Sequence, residues 1–262
     1  MKKPVYYVLI GVLLLVFCFS AFQIANYFIK GREKANQFDE LSQMVSQATT
    51  AATEPSTEAT TEETTEPTEP TMIPGYADVY ALNGDMVGWL KIEGTKIDYP
   101  VMQTPDEPNY YLKRDFNRNY SDWGCLYARE ECDVNTPSDT VTIYGHTMKD
   151  GSMFAALHNY TDKSFYEDHK LIYFDTLTEY HVYEIFSVFK TSANLGEGFR
   201  YHVMENAKDE KEFNDYVAEC KKLSFYDTGI TPVYGDKLIL LSTCEYTLGD
   251  NSRLVVAARR VF

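Results

Sequence analysis

The sequence predicts a mainly β domain. The expected form is a closed or nearly closed barrel of about eight strands, with an N-terminal helix and a helical insertion before the strand that delivers Cys244. Three observations lead there. Strand-like runs at 87–92, 97–102, 125–127, 140–145, 171–175, 180–189, 237–243 and 254–261 are separated by clusters of Gly, Asp, Asn and Pro. One helical pattern interrupts them over 207–223, where Phe213, Tyr216, Val217, Cys220 and Leu223 share a face. An apolar run near the N-terminus stands apart from all that follows.

After Lys2 and Lys3, residues 4–22 are apolar without a break, and the character continues past Gln23 and Asn26 to Ile29. About 20 helical residues cross the roughly 30 Å hydrocarbon core of a bilayer. Residues 5–29 are therefore read as a transmembrane anchor, with 1–4 cytoplasmic. A cleaved signal peptide is the rival reading. Cys18-Phe19-Ser20 offers a small-x-small site, but the run is long for a signal core. Phe17 stands where a lipoprotein cysteine would need a small residue before it. Lys30, Arg32 and Lys34 rival Lys2 and Lys3, so charge leaves the orientation open.

Phe38, Leu41, Met44 and Val45 recur at helical spacing, which makes 30–47 a juxtamembrane helix. Residues 48–72 form a Thr/Glu/Pro-rich linker that has no apolar surface to bury. Its r.m.s. reach is roughly 25–30 Å. Residues 73–262 form the globular domain, opening on a short helix at 78–82 that Asn83-Gly84 stops.

The formal net charge of -15 argues against a nucleic-acid partner. Glu54, Glu58, Glu62, Glu63, Glu66 and Glu69 sit in the linker, so the folded part is less extreme. The 21 tyrosines suit a strand-rich domain and an aromatic-lined groove equally well.

Five cysteines need sorting. Cys18 lies in the apolar span, Cys220 on the packed face of the insertion helix, and Cys125 in a strand after Trp123-Gly124. Cys125 and Cys132 are alternatively a hairpin disulfide in an oxidising space. Cys244 follows its strand and is flanked by polar residues, so its thiol is held in place yet open to substrate.

His158, His169 and His202 read as surface or capping residues, and His181 as a strand residue beside Tyr183. His146 alone follows a buried strand through a glycine, in Tyr-Gly-His-Thr-Met-Lys-Asp-Gly. No Cys/His spacing suits a metal, and no cofactor is expected. Arg253 opens the strand that returns from Cys244, where a forked cation suits an oxyanion. Arg259 and Arg260 are adjacent and point to opposite faces, while Asp250 in Leu-Gly-Asp-Asn-Ser reads as turn chemistry. A cysteine, a histidine and an arginine at strand edges are the parts of a thiol acyl-transfer site.

These residues resemble the class B sortases, membrane-anchored transpeptidases of Gram-positive surfaces. The resemblance covers about residues 76–261. Its pieces include Val87-Gly88-Trp89-Leu90-Lys91-Ile92, Gly94-Thr95-Lys96-Ile97-Asp98-Tyr99-Pro100-Val101 and Tyr110-Tyr111-Leu112. The most specific are Tyr144-Gly145-His146-Thr147-Met148-Lys149-Asp150-Gly151-Ser152-Met153-Phe154 and Leu241-Ser242-Thr243-Cys244 with Arg253. The helical insertion is similar to class B rather than class A. Thr147 departs from the commoner asparagine, and residues 249–252 lengthen the Cys-to-Arg loop slightly.

The resemblance implies a sortase-like barrel in which Cys244 attacks the carbonyl after threonine in a sorting motif and forms a thioester. His146 then protonates the departing amine and deprotonates the incoming one. Arg253 holds substrate and oxyanion, and Leu112, Ser242, Thr243 and Glu245 belong to the substrate groove. The implied partners are surface-protein sorting peptides and an amine of a peptidoglycan precursor, served by a monomeric extracellular domain on a single-pass anchor. With unperturbed pKa values, thiolate and imidazolium coexist in about one per cent of molecules at neutral pH. Such an enzyme works slowly on substrates tethered nearby. A secreted cysteine hydrolase, a pilin-polymerising sortase and a silent binding domain remain the competing classes.

Overall fold

The computed structural model describes residues 3–53, 71–194, 196–245 and 251–262. The chain divides into two compact units, Met1–Glu40 and Leu41–Phe262. The helix α1 (Lys3–Thr53) is continuous, so the segments read as anchor and juxtamembrane helix are one element. Its last residues, 48–53, fall in the segment read as linker, and 54–70 lie outside the described residues. Tyr7–Gln47 is long and apolar enough to cross a membrane, with a mean hydropathy of 2.6 in its most apolar window.

The second unit begins with the end of α1. Leu41 is buried there, and Ser42 Oγ donates to Asp98 Oδ2 at 2.8 Å. The next helix, α2 (Pro74–Leu82), starts on its proline, whose missing N–H costs nothing in a first turn.

Among the described residues eight strands follow: β1 (Met86–Lys91), β2 (Asp98–Met102), β3 (Leu126–Ala128), β4 (Thr140–Tyr144), β5 (Leu171–Thr176), β6 (Val182–Ser192), β7 (Leu238–Glu245) and β8 (Ser252–Arg260). They close into a barrel in the order β1-β2-β3-β4-β7-β8-β6-β5, with β5 returning to β1. The β2–β3 and β4–β7 pairs are parallel and the others antiparallel. The β4–β5 connection holds a 3₁₀ helix (Phe154–Thr161) and α3 (Lys163–Asp168), and the β6–β7 connection holds α4 (Glu210–Leu223).

The expected boundaries shift for local reasons. Helix α4 begins at Glu210 because Asp209 Oδ1 accepts from Glu212 N at 2.8 Å, closing the first turn. Phe213, Tyr216, Val217 and Cys220 are buried, as their shared face requires. Cys244 lies inside β7, one residue before its end, because the ladder to β8 runs on through Glu245. Cys125 falls just outside β3, and Arg253 is the second residue of β8.

The unbroken apolar run of β7 has a structural cause: both of its faces are covered. Alternation sends Ile239, Leu241, Thr243 and Glu245 one way and Leu238, Leu240, Ser242 and Cys244 the other. Leu238 and Leu240 join Val255, Ala257, Phe189 and the buried face of α4 in one cluster. The α4 insertion therefore covers the lower part of this sheet face, while Ser242 and Cys244 continue the same face beyond it.

Candidate active site

Register builds the site. Cys244 and Arg253 are direct partners in the antiparallel β7–β8 pair, which sets their side chains on one face about 5 Å apart at Cβ. On the other side of β7, Tyr144 is level with Ser242 in the parallel β4–β7 pair. Two residues on, the chain reaches His146 beside the level of Cys244. A glycine is required on the way, since a Cβ on Gly145 would lie 2.5 Å from Leu126 Cδ2 and 2.7 Å from Phe154 Cδ2.

Hydrogen bonds tie the two strand ends together. Gly145 N donates to Ser242 O at 3.2 Å, Thr243 Oγ1 donates to Gly145 O at 2.7 Å, and Thr147 Oγ1 donates to Cys244 O at 3.2 Å. Phe154 N donates to His146 O at 2.9 Å and secures the turn from its far side. Leu112, on a 3₁₀ turn (Tyr110–Lys113), accepts from His146 Nε2 at 2.7 Å.

A cleft of about 240 Å³ results, bordered by Asn109, Leu112, Tyr127, Tyr144, Gly145, His146, Ala193, Tyr201, His202, Ser242, Thr243, Cys244 and Arg253. His146, Cys244 and Arg253 thus meet in one place, with Leu112, Ser242 and Thr243. Ser242 shares a 2.6 Å hydrogen bond with Tyr201 OH. Glu245 does not border the cleft. Strand alternation turns it to the other face of β7, where it is buried and pairs with Lys190 Nζ at 2.5 Å.

Burial dominates the electrostatics. It pulls His146 below the usual imidazole range, against the Leu112 hydrogen bond that favours the protonated ring. His202 is also lowered, first by burial and then by the nearby Arg129 and Arg200 cations. The Tyr127, Tyr144 and Tyr201 hydroxyls are pushed up by burial and stay neutral donors. Elsewhere, burial pushes the Cys132 thiol up to about 11 and raises Cys220 further still. Cys132 points to the Thr140 carbonyl at 3.6 Å, and no disulfide forms among the described residues.

Several cleft residues escaped the sequence reading. Tyr144 ends β4 level with Ser242 on β7 and borders the cleft there, a pairing that the sequence does not mark. Asn109 takes a left-handed φ of 58° and accepts from Tyr127 OH at 3.0 Å, a pairing that only the fold creates. His202 read as a surface residue but borders the cleft from a short 3₁₀ turn (Tyr201–Val203), where no periodicity marks it. Asp250 and most of the Cys-to-Arg loop, 246–250, lie outside the described residues.

Comparison with known proteins agrees with this architecture. The sortase domain family matches residues 90–261, and the chain belongs to that family. Sortase B of Listeria monocytogenes is 36% identical over 191 residues, which cover 70% of this chain and 73% of the relative. Sortase B of Staphylococcus aureus is 27% identical over 188 residues, covering 72% and 75%. A Staphylococcus aureus sortase B–substrate complex shares the fold with a TM-score of 0.75 at 24% identity, covering 89% of this chain and 98% of that one. A Bacillus anthracis protein similar to sortase B superposes with a TM-score of 0.72 at 27% identity, covering 88% and 96%. The protein is a class B sortase, a cysteine transpeptidase.

Proposed function

We propose that the protein is a membrane-anchored transpeptidase that cleaves a threonine-containing C-terminal sorting motif and joins the acyl fragment to an amine of a peptidoglycan precursor. Cys244 Sγ adds to the threonine carbonyl, and the tetrahedral intermediate carries its negative charge on the former carbonyl oxygen beside Arg253. His146 gives a proton to the amide nitrogen as the C–N bond breaks, leaving a thioester and a free amine. An incoming amine then adds to the thioester, gives its proton to His146, and expels the Cys244 thiolate. The forked, permanently charged guanidinium of Arg253 is suited to both oxyanions.

One observation carries this reading: Cys244 and Arg253 are in direct cross-strand register, and His146 borders the same cleft. Leu112, Ser242 and Thr243 form part of its peptide-binding wall. Support for the anchor is the apolar helix at Tyr7–Gln47. With the chain's N-terminus cytoplasmic, the barrel stands outside the cell, where a linker keeps it close to substrates threaded through the same membrane.

The test is nucleophile capture. A threonine-containing sorting peptide is incubated with the enzyme and a series of oligoglycine and diamino-acid amines, and the ratio of amide to acid product is measured by chromatography. A docked amine outcompetes water through proximity. Capture of most of the acyl group by one amine is expected; acid as the sole product with every amine identifies a hydrolase.

A further inference from the structure

We infer that Thr147 and His158 are a positioning pair for acyl transfer, linked by a directional chain of hydrogen bonds that locks the His146 turn to the Cys244 strand. The inference rests on the roles proposed above for His146 and Cys244.

Proton counting sets the direction. A carbonyl only accepts, so the 2.7 Å contact between Thr243 Oγ1 and Gly145 O uses the single Thr243 hydroxyl proton. Thr147 Oγ1 lies 2.8 Å from Thr243 Oγ1 and 3.2 Å from Cys244 O. Having no proton to receive from Thr243, Thr147 donates its own, shared between those two acceptors. The remaining partner of Thr147 Oγ1 is His158 Nε2 at 2.9 Å. With the Thr147 proton committed, that contact holds only if the imidazole donates.

His158 is therefore held as the Nε2–H form. The chain runs from His158 Nε2 to Thr147 Oγ1, on to Thr243 Oγ1, and ends at the carbonyl of Gly145. It touches the residue before His146, the residue before Cys244, and the Cys244 carbonyl itself. His158 projects from the 3₁₀ helix Phe154–Thr161, which is anchored to the same turn through the Phe154 N to His146 O bond and the Thr147–Met153 bridge. The side-chain chain thus closes a loop that the backbone opens. A threonine hydroxyl suits the place because it donates and accepts at one atom, whereas a valine of equal shape does neither.

The relative placement of a thiol and an acid–base group governs acyl transfer steeply, since a misplacement of about 1 Å costs up to roughly 100-fold. The full-length protein in detergent micelles is compared with Thr147→Val, Thr147→Ser, His158→Leu, His158→Gln and Cys244→Ala in the peptide–amine assay. Thr147→Val and His158→Leu are expected to lose about tenfold or more in kcat with KM little changed. Thr147→Ser and His158→Gln, which keep a donor in reach, are expected to recover most of that loss.

Nitrogen NMR of ¹⁵N-histidine-labelled protein, with His158 assigned through His158→Gln, reads the tautomer directly and needs no turnover. A protonated Nε2 is expected. A bare Nε2, wild-type kcat in Thr147→Val, or equal losses in Thr147→Ser and Thr147→Val each overturn the inference. If Thr147→Val does not fold, the tautomer and the two His158 variants still decide. An active Cys244→Ala would instead overturn the underlying mechanism, and is told apart because every other variant is judged against that control.

Discussion

The Leu112 carbonyl accepts a hydrogen bond from His146 Nε2 at 2.7 Å, which fixes the tautomer of the ring. Because a carbonyl has no proton to give, Nε2 must carry one, and in the neutral ring Nδ1 is the basic atom. The family resemblance implied Leu112 as a groove residue; in the fold its backbone oxygen orients the His146 ring. For the acid–base role proposed for His146, this carbonyl takes the place that a carboxylate holds in a triad. A neutral acceptor steadies the imidazolium less than a carboxylate would, consistent with a ring whose proton affinity burial has lowered.

The pH response follows from that lowering. The acid limb of kcat/KM is expected below the ordinary imidazole value of about 6.5. Stability moves with it: the unfolded chain takes up the proton first, so stability present near pH 7 is lost as pH falls through about 6.5 towards the folded value. His202, lowered in the same direction, adds a contribution of the same sign. Thermal melts between pH 7 and 5 should show a smaller acid loss in His146→Gln and a smaller one again with His202→Gln. An acid limb or an imidazole NMR titration midpoint above 6.5 would contradict the burial argument.

Cys244 should be the thiol that reacts. It is half-buried at the cleft, whereas Cys125, Cys132 and Cys220 are buried. In a Cys18→Ser background, a methanethiosulfonate probe followed by peptide mass mapping should label Cys244 first. Cys244→Ala should abolish the thioester and change stability by no more than about 0.5 kcal/mol. Faster labelling of Cys132 would place the reactive thiol elsewhere.

Arg253 should be the costly arginine. Replacing it with Ala removes the oxyanion partner proposed above and should lower turnover about 100-fold or more. Lys should rescue poorly because it lacks the planar fork. Arg259 pairs with Glu184 and Asp236, and Arg260 contacts His181, about 20 Å along the strand from Arg253. Their Ala variants should keep turnover within about threefold, since surface pairs contribute little. Steady-state kinetics on the three variants decides.

The end of α1 sets two truncations apart, one ending before Leu41 and one after it. Removing residues 1–40 leaves Leu41 and Ser42 in place, including the bond to Asp98, which also accepts from Trp89 Nε1 at 2.6 Å. Removing residues 1–71 exposes that surface. The longer truncation should be less stable than the shorter one by about 1–3 kcal/mol in denaturant titration. Equal stability of the two would show that 41–53 adds nothing to the domain.

Periodicity carried much of the fold. Each of the eight strand-like runs corresponds to a strand, and the buried stripe of α4 falls where residues three and four apart had to meet. The uninterrupted run of β7 announced a strand covered on both faces. Boundaries were less legible, because a strand ends where its ladder ends. Glu245 is polar yet remains in β7, since Ser252 on β8 is its partner. Linker composition concealed the end of α1, whose backbone bonds carry on from a strongly helical start.

By itself the sequence determined which chemistry was available. It placed one cysteine at the end of an apolar run, one histidine after a strand and glycine, and one arginine at the start of the returning strand, because local side-chain period and turn residues are written in the chain. Only the tertiary structure decided which partners these groups meet. Parallel pairing of β4 with β7 brings His146 level with Cys244 across nearly a hundred residues, and a distant 3₁₀ turn supplies the Leu112 carbonyl that sets the tautomer. It also turned Glu245 away from the cleft and brought His202 and the Thr147–His158 pair towards it. Hydrogen bonds and burial depend on separations through space, and a one-residue change of register would reverse every face on which this site is built.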